Sequence, residues 1–364
     1  MHGIFDPLTV GSLELPNRLV RSATRLGLAG AEGAVTDALL TRYEELGAGG
    51  AGLVVTENAF VSPDGRGRPP MLGAADDDAL PGLRRLAETI RRGGARAALQ
   101  LVHAGGQTRS EWIGNRIPVA PSMAFLRQYP DTPRELYREE ITRIIKAFAA
   151  AARRAREAGF DAVQLHAAHG FLVSQFLSPA ANQRQDRYGG DLAGRFRFLQ
   201  EVLTAVQWAA GHDFPVLVKL NGSDFVDGGL EVGEAAQVAG WLSARGVAAI
   251  EVSGGTAGSG ELGPVRPVEP GRGEAYFSDL ATAFRSRVSC PLILVGGLRS
   301  PGLLEELLLF GVADLFALSR PLLCEPDLPR RWAAGDRSPA RCRGCPRCSA
   351  LGADGEGACA HRPG

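Results

Sequence analysis

Pro215-Val216-Leu217-Val218-Lys219-Leu220 is apolar throughout except for one lysine, and Leu53-Val54-Val55-Thr56-Glu57 has the same character. A strand with one solvated face alternates in polarity, whereas a strand buried on both faces reads as a continuous run. Working outward from these two, further short β-rich runs fall at Leu19–Ser22, Arg96–Leu101, Ala162–His166, Ala249–Val252, Leu292–Val295 and Leu315–Ala317. Longer helical patterns follow each: Thr36–Leu46, Leu80–Arg92, Arg138–Ala158, Arg195–Ala209, Val232–Arg245, Phe277–Arg287, Pro301–Phe310 and Asp327–Ala334. Gly159, Gly246 and Gly311 sit where a left-handed helix stop needs no side chain. Eight strand–helix units predict an α/β chain folded as a (β/α)8 TIM barrel. A doubly wound open sheet also alternates, but the eight units fill residues 19–335 and leave no room there for a second domain.

Composition sets outer bounds. The 364 residues are 45% hydrophobic and 22% charged, which excludes a disordered chain. Forty basic residues balance forty acidic ones, so no general affinity for nucleic acid or anionic membrane is expected. No apolar run approaches the ~18 residues of a membrane helix. The opening Met1–Leu19 shows no charged-then-apolar secretory pattern, and the expectation is a cytoplasmic protein. Only two basic residues are lysines, Lys146 and Lys219, and four of six cysteines crowd into the last 23 residues. In a cytosolic chain such crowding favours metal over disulfides.

Barrel chemistry sits at the C-terminal ends of the strands. The fourth strand runs into His166-Ala167-Ala168-His169-Gly170-Phe171, which holds two of the six histidines. Two donors aimed at a substrate oxygen, a metal pair lacking a third ligand, or packed histidines all fit that spacing. Lys219, ending an apolar strand, needs an anionic partner or a depressed pKa. Gly296-Gly297 after strand seven and Ser319-Arg320 after strand eight match the usual barrel phosphate site, bare amides beside a guanidinium. The Gly- and Pro-rich stretch Ala104–Pro133 is long enough to be expected at a site.

Six strings together carry a family resemblance. They are Ile4-Phe5-Asp6-Pro7, Leu15-Pro16-Asn17-Arg18, Gln100-Leu101-Val102-His103-Ala104-Gly105, His166-Ala167-Ala168-His169-Gly170, Phe176-Leu177-Ser178-Pro179 and Asp186-Arg187-Tyr188-Gly189-Gly190. Over about residues 4–335 the chain resembles the Old Yellow Enzyme-type NADH:flavin oxidoreductases, FMN-dependent ene-reductases. The resemblance implies residues 1–335 as an FMN-binding barrel with an N-terminal capping segment, and 336–364 as a short Cys-rich tail. It implies FMN over the barrel mouth, with Gln100 at the pyrimidine edge and Lys219 near N1 and O2. Gly296, Gly297, Ser319 and Arg320 would hold the phosphate, and Ala23 and Thr24 would offer backbone groups near N5. His166 and His169 would anchor the substrate's activating oxygen. Two positions depart from the family: Phe171 stands where a proton-donating tyrosine is usual, and Arg25 where a small residue is common.

The resulting expectation is an oxidoreductase that takes hydride from NAD(P)H onto FMN and passes it to a small electron-poor substrate such as a conjugated enone. The alternatives are a flavin-dependent substrate dehydrogenase or isomerase, and an electron-transfer subunit working with a partner; a homo-oligomer is compatible with each. Tyr129 and Tyr276 are the candidate proton donors in place of Phe171. Cys342-x2-Cys345-x2-Cys348-x10-Cys359 suits a [4Fe–4S] cluster or tetrahedral zinc, and is similar to the iron–sulfur segment of the trimethylamine dehydrogenase and dienoyl-CoA reductase branch. Cys290 and Cys324 read as ordinary small core residues.

Overall fold

The computed structural model describes residues 3–123, 129–268, 272–345, 348 and 359. Eight parallel strands form the barrel: β1 (Leu19–Arg21), β2 (Leu53–Phe60), β3 (Arg96–Val102), β4 (Ala162–Ala167), β5 (Val216–Asn221), β6 (Ala249–Ser253), β7 (Leu292–Val295) and β8 (Leu315–Leu318). Each pairs with its sequence neighbour, and β1 pairs with both β8 and β2. That second pairing closes the sheet and excludes the open alternative. The apolar runs are buried along their whole length, as two-sided burial requires.

Ten α-helices are described: α1 (Asp37–Gly47), α2 (Leu80–Arg92), α3 (Arg138–Glu157), α4 (Leu172–Leu177), α5 (Leu192–Ala210), α6 (Val232–Ser243), α7 (Ser278–Arg285), α8 (Pro301–Leu309), α9 (Arg320–Cys324) and α10 (Leu328–Ala333). Their starts follow from local chemistry. The Thr36 hydroxyl accepts from the Leu39 amide at 3.1 Å and caps α1. Asp191 caps α5 by accepting from the Gly194 amide at 2.8 Å. In α2, Leu83, Leu86, Ala87 and Ile90 form the buried stripe at helical spacing.

Boundaries differ from the sequence expectation mostly by one to three residues. Two short helices were not foreseen. α4 turns the chain directly after Phe171, and α9 begins at Arg320, so both start at residues expected in the site. A hairpin, Leu8–Val10 with Leu13–Leu15, precedes the barrel. The described part of Ala104–Pro133 folds onto itself, where Asp131 accepts from the amide and the hydroxyl of Ser110 at 2.7 and 2.8 Å. Among the described residues, no helix is long and apolar enough to cross a membrane.

Candidate active site

Register sets the site. In a parallel sheet, paired residues point the same way, and Lys219 pairs with His166 on one side and Glu251 on the other. All three side chains are buried, with no more than 4% exposed. Two residues earlier on β4, Gln164 points the same way as His166. A polar layer therefore lies inside an otherwise apolar barrel. Its bonds are Gln100 Nε2 to Gln164 Oε1 at 2.7 Å, Gln164 Nε2 to Glu251 Oε2 at 2.8 Å and Lys219 Nζ to Glu251 Oε1 at 2.8 Å. Ser22 Oγ donates to the same carboxylate oxygen at 2.6 Å. Burial works against ionising Glu251, but Lys219, Ser22 and Gln164 together hold its carboxyl below the usual range.

A cavity opens at the C-terminal ends of these strands. Ala23, Thr24, His169, Lys219, Gly296, Gly297, Ser319 and Arg320 line it, which brings together eight of the residues expected from sequence. Gly296 and Gly297 have φ of +120° and +72°, so the turn exposes consecutive backbone groups in a conformation L side chains avoid. A Cβ at either position would stand 2.8–2.9 Å from the Tyr276 or Phe277 ring. The turn is thus a cradle that only glycine leaves open. Thr24 Oγ1 lies 2.7 Å from Ser319 Oγ and joins the first strand end to the last.

His169, with φ of +61°, is turned so that its Nε2 lies 2.7 Å from Ser253 Oγ. Its ring meets His166 edge-on, with centroids 5.2 Å apart. His166 Nδ1 is buried and has no partner in the protein. Burial first, and the Lys219 charge second, push both imidazoles well below their ordinary pKa, so both are neutral at neutral pH. Each can therefore donate from only one nitrogen. No third metal ligand accompanies them among the described residues.

Phe171 does not face a reacting group in the manner of an acid. Its ring lies 4.8 Å from His166 and packs with Phe60, Met71 and Val102. Tyr276 does line the cavity, but its hydroxyl donates to the Pro264 carbonyl at 3.2 Å and burial raises its pKa. Tyr129 packs against Gly106, and burial followed by the nearby Asp224 raises its pKa. The Tyr276 hydroxyl is thus committed to Pro264, while that of Tyr129 is buried with no partner among the described residues. Arg25 lines the cavity and donates to the Pro69 and Pro70 carbonyls at 2.9 and 3.3 Å.

Three features were missed from sequence. Glu251 is the anion that Lys219 needed, and its signal was a single acid inside the apolar run Ala249-Ile250-Glu251-Val252. Arg320, expected at a phosphate, also ties the tail: its guanidinium donates to the Gly344 carbonyl at 2.7 Å and the Arg266 carbonyl at 2.6 Å. Gly344 lies between the first two tail cysteines, and Cys342 itself lines the cavity, so the tail forms part of its wall. Cys324 is buried as expected, but it packs with Cys342, Cys359 and Cys348 rather than in the main core. Cys345 is half-buried outside that group. Among the described residues, no three such side chains converge closely enough to hold a metal ion. The thiol chemistry suits iron or zinc, while the packing does not present a formed site.

These features can be set beside known proteins. The chain is 38% identical over 343 residues to a metal reductase of Desulforamulus reducens, covering 94% of this chain and 50% of that protein. It is 34% identical to an NADPH dehydrogenase of Halalkalibacterium halodurans, covering 91% of this chain and 94% of the relative. A solved 2-naphthoyl-CoA reductase complex superposes with a TM-score of 0.91 at 25% identity, over 99% of this chain and 57% of that one. The chain thus spans about half the length of the first curated relatives it matches. The model of the NADH:flavin oxidoreductase / NADH oxidase family matches residues 3–338, and the chain belongs to that family.

Proposed function

We propose that the protein is an FMN-dependent oxidoreductase that draws on NAD(P)H and reduces a small electron-poor substrate such as a conjugated enone. The observation that carries this reading is the cavity itself. It brings the His169 imidazole, with His166 edge-on beside it, a buried lysine and a glycine cradle beside an arginine to one barrel mouth. Bound FMN would supply a centre that accepts and donates hydride. The Gly296 and Gly297 amides, Ser319 and Arg320 would hold its phosphate, with Gln100 and Lys219 at the pyrimidine end and Ala23 and Thr24 near N5. A cation fixed at the pyrimidine end stabilises negative charge that develops there.

His166 and His169 would donate to the substrate's carbonyl oxygen and draw electrons from the conjugated bond. For His169 to donate from Nδ1, its Nε2 must accept, so Ser253 must donate across the 2.7 Å contact. Lys219 assists by keeping both rings neutral. Phe171 has no proton to give, so the proton for the substrate carbon comes from water in this reading. Purified protein should be yellow and release FMN on denaturation. Rapid bleaching by NADH or NADPH, followed by reoxidation by an enone, supports the reading. Colourless protein that cannot be reconstituted with FMN overturns it.

The cavity wall favours a second reading. Cys342 lines the same cavity as His169 and Lys219. A metal or [4Fe–4S] cluster taken up by Cys342, Cys345, Cys348 and Cys359 would adjoin the flavin site, which suits exchange of electrons with a partner. In that case neither nicotinamide nucleotide would bleach the flavin rapidly.

A further inference from the structure

Glu251 lies at the centre of a hydrogen-bonded chain that joins five strands. Gln100 on β3, Gln164 on β4, Glu251 on β6, Lys219 on β5 and Ser22 at the end of β1 are all buried. The direction of every bond in the chain follows from one fact: an ionised carboxylate only accepts. Gln164 must therefore present its Nε2 to Glu251 Oε2, at 2.8 Å. Its Oε1 is then the acceptor facing Gln100, whose Nε2 donates across 2.7 Å. The Gln100 amide is thereby oriented, with a nitrogen proton committed inward and Oε1 left as an acceptor. Were Gln164 reversed, its oxygen would face the carboxylate with no proton between them. The other carboxylate oxygen takes Lys219 Nζ at 2.8 Å and Ser22 Oγ at 2.6 Å.

We propose that Glu251 is the positioning residue for the pyrimidine end of the cofactor. Through Lys219 it sets the positive charge facing N1 and O2, and through Gln164 it fixes Gln100 to offer an acceptor oxygen to the N3–H. The proposal rests on FMN occupying the cavity with Gln100 and Lys219 at that end. Reduction of the flavin adds negative charge near N1. In the native protein, Lys219 and Glu251 sum to zero, so the carboxylate offsets much of the lysine's pull. Glu251→Gln removes that offset at nearly constant volume; its amide nitrogen then faces Gln164 and turns the Gln164–Gln100 pair over, a loss of orientation for which Gln164→Leu is the control.

The test is a spectroelectrochemical titration of the FMN-loaded protein without substrate. Glu251→Gln shifts the midpoint potential positive. The ratio of oxidised to reduced FMN dissociation constants rises tenfold or more, which is ~30 mV for a two-electron couple. Glu251→Asp draws the carboxylate back from Lys219 and gives a smaller shift of the same sign, so the proposal does not depend on one variant folding. Gln164→Leu leaves the ion pair but frees Gln100, so both redox forms bind more weakly and the potential stays where it was. An unchanged or more negative potential in both Glu251 variants overturns the proposal. So does a Gln164→Leu shift as large as that of Glu251→Gln. Wild-type protein that binds no FMN refutes the proposed function, an outcome distinct from either.

Discussion

Gly297→Ala tests the glycine cradle most directly. The native φ of +72° costs an alanine ~1–2 kcal/mol in the left-handed region. The new Cβ would also stand 2.9 Å from two carbons of the Tyr276 ring and 2.9 Å from Val268 Cγ2, closer than real Cβ contacts allow. The ring must move, and with it goes the Tyr276 hydroxyl bond to Pro264, another ~0.5–1.5 kcal/mol. The sum is roughly 2–3 kcal/mol of local strain, concentrated in the loop that would grip the phosphate. If half of it falls on the bound state, FMN affinity drops roughly tenfold, since 1.4 kcal/mol is a factor of ten. The assay is fluorescence titration of FMN-free protein with FMN, alongside a thermal melt. Gly302→Ala is the control. That glycine is in the first turn of α8, has no heavy atom within 4 Å of the Cβ position and needs no positive φ. Alanine there should leave FMN affinity unchanged and stabilise the fold by ~0.4–1 kcal/mol. Gly297→Ala protein that binds FMN within twofold of wild type would refute the cradle.

Three further outcomes are expected. His103 is buried with Nδ1 accepting from the Gly105 amide at 3.1 Å, and burial, opposed by Asp64, lowers its pKa to about 4. The unfolded chain protonates this histidine near its ordinary ~6.5; the fold loses stability as pH falls from there toward 4, by roughly 3 kcal/mol from this group. Urea denaturation across that window should show a shallower pH slope in His103→Asn, and equal slopes would show that His103 is not held neutral. Phe171→Tyr should raise turnover on simple enones, by up to the ~10²–10⁴ typical of a positioned general acid; an unchanged or lower rate in steady-state assays would show that proton delivery there is not limiting. For the tail, if the four cysteines take up a [4Fe–4S] cluster, anaerobic purification gives about four irons and four sulfides per chain. Chelation should then remove them, and iron-free protein from an iron-replete preparation would exclude a cluster.

Most of the scaffold was legible because burial on both faces is written locally. Runs such as Leu53–Val55 and Leu292–Val295 can only be interior strands, and glycines after helices mark where the chain turns back. The short helices α4 and α9 were missed for a physical reason. Six and five residues are too few for periodicity to register, and α4 starts just after Phe171 while α9 starts at Arg320 itself, where site chemistry rather than helical pattern dominates the sequence. Among site residues, the strand ends were readable because barrel topology assigns them a common face. Their partners were not, because Glu251 is 32 residues from Lys219 and 87 from Gln164. Pairing across strands leaves no spacing motif.

The missed residues share a pattern that sequence could have exposed. Lys219 and Glu251 are each the lone charge in a run that is otherwise apolar, on strands that become neighbours once the barrel order is known. An isolated buried charge is untenable, since breaking such a pair costs ~3–5 kcal/mol. Two lone charges of opposite sign on adjacent interior strands therefore call for each other. A similar reading applies to Cys324, which follows Leu322-Leu323 on α9 and whose position just after Arg320 faces the tail. Arg320 holds Gly344 and so draws the Cys342 loop against the barrel, which leaves the thiol of α9 packed among those of the tail. The cavity and the cysteines are thus joined through Arg320, alongside Arg299, which donates to the Ala340 carbonyl at 2.6 Å. Arg320→Met should therefore disturb both at once: it should weaken FMN binding and also speed thiol labelling of Cys342 by a maleimide. Loss of FMN affinity with native labelling rates would mean the arginine serves the phosphate alone.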